Sequence, residues 1–189
     1  MELELKRGGR TARVETLGGE LVSYRDERGL EYIWGGDPAY WPGRNPLLFP
    51  IVGMLKEGKI RFDGREYAME RHGFARRREF TPAARGEDWV RLELRESAET
   101  LALYPYPFRL AVEQRLTDTG FSTAVTVANP GEGPLPFCLG AHTGFRCPLE
   151  AGERFEDYEL VFPERESCPT LLLRDGLLDR PAALPCLED

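Results

Sequence analysis

An all-β sandwich is the fold this sequence predicts, and three observations predict it. Apolar side chains return at every second residue in one short segment after another, the spacing that places them on a single face of a strand. Turn chemistry built on glycine, proline and Asp-Gly interrupts those segments at the intervals of a sandwich. Only Ser97 to Leu103 allows a turn of helix, and Pro105 and Pro107 end it.

Taken in order, Glu2 to Lys6 alternates polar and apolar, and Arg10 to Thr16 and Glu20 to Arg25 follow as strands joined through Leu17-Gly18-Gly19. Asp26 to Gly29 is a turn, and Glu31 to Trp34 a short strand. Asp37 to Asn45 mixes prolines, glycines and aromatics and reads as a rim loop, because proline removes donors and fixes the backbone. Leu47 to Val52 is apolar on both faces, as in a strand covered on both sides. Lys59 to Phe62 and Arg65 to Met69 flank Asp63-Gly64, two residues that tolerate positive φ, so they form a hairpin. Glu79 to Pro82, Asp88 to Glu96, Phe108 to Thr117 and Phe121 to Asn129 continue the alternation. Val90, Leu92, Leu94, Leu110, Val112 and Leu116 are placed inward, with Phe121, Val125 and Val127 in the last strand. Leu135 to Leu139 and Glu159 to Phe162 complete about a dozen strands. From Pro163 prolines break up the leucine runs, and the chain reads as irregular.

Composition narrows the function classes. At 189 residues, 41% hydrophobic and 30% charged, the chain can bury a sizeable core as one domain over 1–189. A net charge of -7 disfavours nucleic acid and anionic membranes as partners. No apolar run approaches the roughly 18 residues of a membrane span. The charged start, MELELKRGGR, lacks the apolar core of a secretion signal, so the expected compartment is the cytoplasm. There Cys138, Cys147, Cys168 and Cys186 are free thiols. No ligand spacing supports a metal, and no phosphate loop or Gly-x-Ser-x-Gly nucleophile is present.

The chemistry rests on the chain's two histidines, His72 and His142. Imidazole exchanges protons near neutral pH. Each sits among glycine and phenylalanine, in Arg71-His72-Gly73-Phe74-Ala75-Arg76 and in Gly140-Ala141-His142-Thr143-Gly144-Phe145. Glycine permits close backbone approach. Phe74 and Phe145 can wall a pocket, and Arg71 and Arg76 can bond an oxygen-rich ligand. The plain alternative is a hydrogen-bonded structural histidine in each place, with Arg77 and Arg78 a solvated basic run. Trp34, Tyr40 and Trp41 either stack on a sugar ring or anchor their loop.

Together, Asn45-Pro46-Leu47-Leu48-Phe49-Pro50, Arg71 to Arg76, Tyr104-Pro105-Tyr106-Pro107-Phe108 and Gly140-Ala141-His142 resemble the aldose 1-epimerase (galactose mutarotase-like) family, in its LacX-like branch. The resemblance covers most of the chain, from about Leu17 to Phe162. It implies a β-supersandwich with a monosaccharide or sugar phosphate on a concave face, and interconversion of α and β anomers without metal or cofactor. By that resemblance His142 protonates the ring oxygen and His72 hydrogen-bonds the sugar. Asn45, Arg71, Arg76 and Phe145 are the expected sugar contacts, and Arg44, Arg71 and Arg76 leave a hexose 6-phosphate open.

Three departures qualify this. The family's Val-Gly-Arg-Leu reads Val52-Gly53-Met54-Leu55, and methionine donates no hydrogen bond. Thr143 stands where the family has proline. The family also continues beyond Leu184 to Asp189, so the supersandwich is expected to be C-terminally incomplete and to lack the general-base glutamate; Glu188 has no matching motif. A missing base typically costs ~10²–10⁴ in rate. Missing strands would bare a sheet edge that favours a homodimer. The sequence therefore carries three readings: an impaired epimerase, a carbohydrate-binding pseudoenzyme, and a degenerate chain covered by a second copy.

Overall fold

The computed structural model describes residues 1–164 and 169–182. Cys168, Cys186, Glu188 and the Leu184–Asp189 segment lie outside them. Strands β1 (Glu2–Arg7), β2 (Arg10–Glu15) and β3 (Glu20–Arg25) form an antiparallel meander. Next come β4 (Leu47–Leu48), β5 (Lys59–Phe62) and β6 (Arg65–Ala68), then β7 (Thr81–Arg85) and β8 (Trp89–Arg95). A single helical turn, α1 (Ala98–Leu101), precedes β9 (Arg109–Leu116) and β10 (Phe121–Ala128). The order closes with β11 (Gly140–Ala141), β12 (Thr170–Arg174) and β13 (Leu177–Ala182).

The second sheet runs β10-β9-β8-β7, all antiparallel. Its inward residues Val90, Leu92, Leu110, Val112 and Leu116 share one core with Leu3, Leu5, Ala12, Val14 and Leu21 of the first sheet. Alternation put these side chains on one face of each strand, and burying each leucine or valine contributes roughly 1.5–3 kcal/mol. Phe121, Val125 and Val127 of β10 are only partly covered. Among the buried polar side chains is Gln114 of β9, whose Nε2 donates to Gly19 O at 3.0 Å and whose Oε1 accepts from Thr123 at 2.6 Å.

Asp63 and Gly64 take φ of 47° and 78°, the turn that joins β5 to β6. Ser97 caps α1 reciprocally: Thr100 N donates to Ser97 Oγ at 3.2 Å, and Ser97 N to Thr100 Oγ1 at 2.8 Å.

Several expected strands differ. Leu47 to Ile51 is buried as expected, yet only Leu47–Leu48 pairs as a strand, and Val52 is half-exposed. The ladder stops because Phe49 O turns to Phe74 N (3.0 Å) and Ala75 N (3.2 Å). Leu135 to Leu139 forms no strand; its pairing passes to Gly140 and Ala141, which face Leu48 and Leu47. Glu31 to Trp34 makes only isolated bridges, to Arg25 and Phe145. Leu160, Val161 and Phe162 are exposed and unpaired. Conversely, the region after Pro163, read as irregular, holds the β12–β13 hairpin around Asp175-Gly176. No helix among the described residues is long and apolar enough to cross a membrane.

Candidate functional site

Strand β4 and its continuation to Phe49 organise the candidate site. On one side β11 pairs with it, Gly140 opposite Leu48 and Ala141 opposite Leu47, and His142 N donates to Pro46 O at 3.1 Å. Elsewhere on the same segment Gly73 forms a parallel bridge with Phe49. Both histidines are thus hung from one short stretch of backbone.

The approach at Gly73 demands glycine. A Cβ there would lie 2.2 Å from Phe49 O and 2.5 Å from its carbonyl carbon, and φ is +69°. His72 itself sits at φ +67°. Its backbone N donates to Gly53 O at 2.8 Å, and its Nδ1 accepts from Gly53 N at 3.0 Å. An Nδ1 that accepts a hydrogen bond bears no proton, so the neutral ring carries its proton on Nε2 and is a donor there. Burial first, then the nearby Arg76 and Arg71 charges and His142, hold the His72 pKa below the usual histidine value. His72 is therefore neutral at pH 7.

His142 is exposed, with its ring 4.9 Å from that of Trp41 and tilted by 59°. Trp41 is fixed in turn, since Trp34 Nε1 donates to Trp41 O at 2.8 Å. Gly144 lets the segment press on both tryptophans; a Cβ there would meet the Trp41 indole at 2.8 Å and Trp34 Cβ at 3.0 Å. Of the three aromatics, then, Trp41 faces a histidine, Trp34 anchors the loop, and Tyr40 is exposed. Glu20 clamps the loop from β3: its Oε1 accepts from Arg44 N at 3.0 Å and Asn45 N at 2.6 Å.

The expected sugar contacts fall into two groups. Arg71 and Arg76 stand near His72. Arg76 Nη2 donates to Arg71 O at 3.0 Å, its Nε is buried without a partner, and Arg71 Nη2 lies 3.9 Å from Met54 Sδ. Asn45 and Phe145 instead line an open cleft of about 270 Å³ with Tyr24, Tyr32, Phe121 and Thr143. Asn45 is buried there and its Oδ1 accepts from Thr143 at 2.6 Å; Phe145 is exposed. Arg44 is turned toward Gly35 O (3.3 Å) and Glu15 (3.9 Å). A larger cleft of about 530 Å³ lies between Met69, Phe74 and Leu103 and holds neither histidine. Among the described residues, no three His, Cys, Asp or Glu side chains gather to hold a metal ion, and Cys138 and Cys147 are free.

Sequence reading missed Gly53 and Glu20. Gly53 acts through its backbone, which leaves no side-chain signature. Glu20 is one acid among 32 Asp and Glu residues, with no local motif to mark it.

A two-layer antiparallel sandwich with two imidazoles on one backbone segment, one neutral and one exposed, belongs to the galactose mutarotase-like folds. The aldose 1-epimerase family profile matches residues 1–175, and the chain belongs to that family. It is 41% identical over 197 residues to the plasmid-encoded protein LacX of Lactococcus lactis subsp. lactis, an alignment that covers 100% of this chain and 66% of LacX. A galactose mutarotase related enzyme from Lactobacillus acidophilus superposes with a TM-score of 0.90 at 27% identity, over 95% of this chain and 60% of that one. A galactose mutarotase-like protein from Lactobacillus casei ATCC 334 gives 0.76 at 33%, over 80% and 52%. The chain therefore spans about two thirds of the length of the curated relatives it matches.

Proposed function

We infer that this chain binds an aldose between His72 and His142 and takes part in anomer interconversion by general acid–base chemistry. The observation that carries this reading is the Gly53 N–H bond to His72 Nδ1. It presets His72 as a neutral Nε2 donor beside an exposed second imidazole, and a sugar oxygen is the complementary acceptor. In this reading His142 delivers the proton to the ring oxygen as the C1–O bond opens. His72 holds the sugar in place. Arg71 and Arg76 contact hydroxyl oxygens or a phosphate, and Asn45 and Phe145 shape the neighbouring cleft. No metal or cofactor takes part.

The anomeric hydroxyl must also lose a proton, and no glutamate in this sequence carries the family's motif for that role. We therefore expect binding from these 189 residues with turnover lowered by ~10²–10⁴. Polarimetry of freshly dissolved α-D-galactose tests this. Mutarotation above the buffer rate that disappears in His142→Gln supports the acid role. A rate equal to buffer, with calorimetric binding intact, supports the binding-protein reading. A hexose 6-phosphate is the substrate if glucose 6-phosphate binds more tightly than glucose and Arg76→Ala removes the difference.

The chain acts as a single cytoplasmic domain in this proposal, paired with a second copy. β10 favours that pairing, because among the described residues it is an edge strand, and its sequence FSTAVTVA has no charge and no proline. The opposite edge, β7, carries Pro82 and a register shift beside it. Sizing chromatography of Ala124→Lys against the parent checks it, with a dimer turning to monomer as the expected outcome.

A further inference from the structure

Met54 occupies the position where the family resemblance places a sugar-contacting arginine, and the structure gives its side chain a different task. Met54 follows Gly53, whose backbone holds His72 at both ends of that residue. Its thioether faces Arg71 Nη2 at 3.9 Å on one side. On the other side it meets Gly176. A Cβ added to Gly176 would lie 2.3 Å from Met54 Cε and 3.9 Å from Sδ.

Gly176 forms the β12–β13 turn with Asp175, at φ of 78° and 53°, directly between the paired residues Arg174 and Leu177. Along the hairpin, residues 171–175 and 177–181 are exposed, while Gly176 is half-buried. Thr170, where the hairpin begins, is half-buried as well; at the turn end, the seat is the Met54 methyl. Methionine suits that role, being apolar and unbranched, with a soft end that fills an irregular gap. An arginine at 54 would bring a longer, charged side chain into the space the turn fills.

We propose that Met54 is a positioning residue that docks the Asp175-Gly176 turn against the His72 end of the site, so that the hairpin forms a wall of the sugar pocket. This rests on the sugar-binding reading above for its functional half only. Restoring the family's arginine is then expected to weaken sugar binding, because the gain of a guanidinium comes with loss of the wall.

The contact is tested first, without sugar. With ¹³C-methyl methionine in the full chain, a strong NOE between the Met54 methyl and the Gly176 α protons is expected; its absence overturns the proposal. Gly176→Val is expected to shift the Met54 methyl resonance and leave that of Met69 in place. The thioether end can swing aside, so this variant's urea midpoint should fall by the cost of an L-residue at φ +78° and by little more. An unmoved Met54 methyl contradicts the seat.

Calorimetry with D-galactose and glucose 6-phosphate then tests the wall. Gly176→Val and Met54→Arg are each expected to weaken Kd by about tenfold or more, and Met54→Leu, which keeps an apolar seat, to retain it. Equal Kd across all three overturns the wall. If the parent binds neither sugar, the sugar reading fails, and the NOE still decides whether the turn is seated on Met54.

Discussion

Replacing Gly73 by alanine probes the joint on which both histidines depend. Two costs are separable. Any L-residue at φ +69° loses about 1–2 kcal/mol relative to glycine. The new methyl would also lie 2.2 Å from Phe49 O, 2.5 Å from Phe49 C and 2.7 Å from Pro50 N. These are backbone atoms of a buried segment and cannot swing aside as a side-chain end would. Overpacking of this kind costs a further ~1–3 kcal/mol, so the total is about 2–5 kcal/mol. Gly58 supplies the control: its φ is +67°, and nothing lies within 4 Å of a Cβ built on it. Gly58→Ala should show the conformational cost alone. Urea unfolding of the two variants beside the parent measures the difference, which we expect to be about 1–3 kcal/mol. Gly73→Ala should also shift the His72 ring resonances, since His72 precedes the displaced residue. Equal midpoints for the two alanine variants would refute the close-approach argument.

Other expectations follow from single contacts. His72 should titrate below 6.5, because burial disfavours the imidazolium and Arg76, Arg71 and His142 repel it. With the folded value below the unfolded one, the unfolded chain takes up the proton first. His72's contribution to stability is then present above about pH 6.5 and is lost as pH falls through the folded value. A His72 NMR midpoint at or above 6.5 would contradict this. Gln114→Leu leaves Gly19 O and the Thr123 hydroxyl without their partner, and is expected to cost about 1–3 kcal/mol in urea unfolding. Glu20→Ala releases the Arg44 and Asn45 amides, so tryptophan fluorescence and the ring-current shift of His142 from Trp41 should both change. Unchanged spectra would show that the clamp does not hold the loop.

The main sandwich was legible because its signals are local. Alternation in β1, β2, β8 and β9 fixes which side chains face inward, and Asp63-Gly64 fixes a turn by its own φ preferences. The same dipeptide at Asp175-Gly176 joins β12 to β13. Nearby prolines argue there for irregular chain, yet Pro181 is carried near the end of a two-stranded hairpin, where proline is tolerated. The strands expected at Leu135 to Leu139 and Glu159 to Phe162 failed for another reason: a strand needs a partner, and apolar content alone does not name one. Within the site, His72 and His142 stood out as the chain's two histidines in glycine-flanked motifs. What holds them did not, because Gly53 N, Gly53 O, Pro46 O and Phe49 O are backbone atoms. Tertiary folding alone brings them to the two histidine segments.

The account turns on two imidazoles acting on one sugar, and the chain's two histidines make that directly readable. Long-range ¹H–¹⁵N spectra of the rings during a titration with D-galactose, repeated with glucose 6-phosphate, follow both at once. At saturation with one of these sugars, Nε2 of His72 and the ring nitrogens of His142 should both shift, with a common Kd, while His72 Nδ1 keeps the resonance of an unprotonated acceptor. Movement of one ring alone, or of neither, would contradict a shared site.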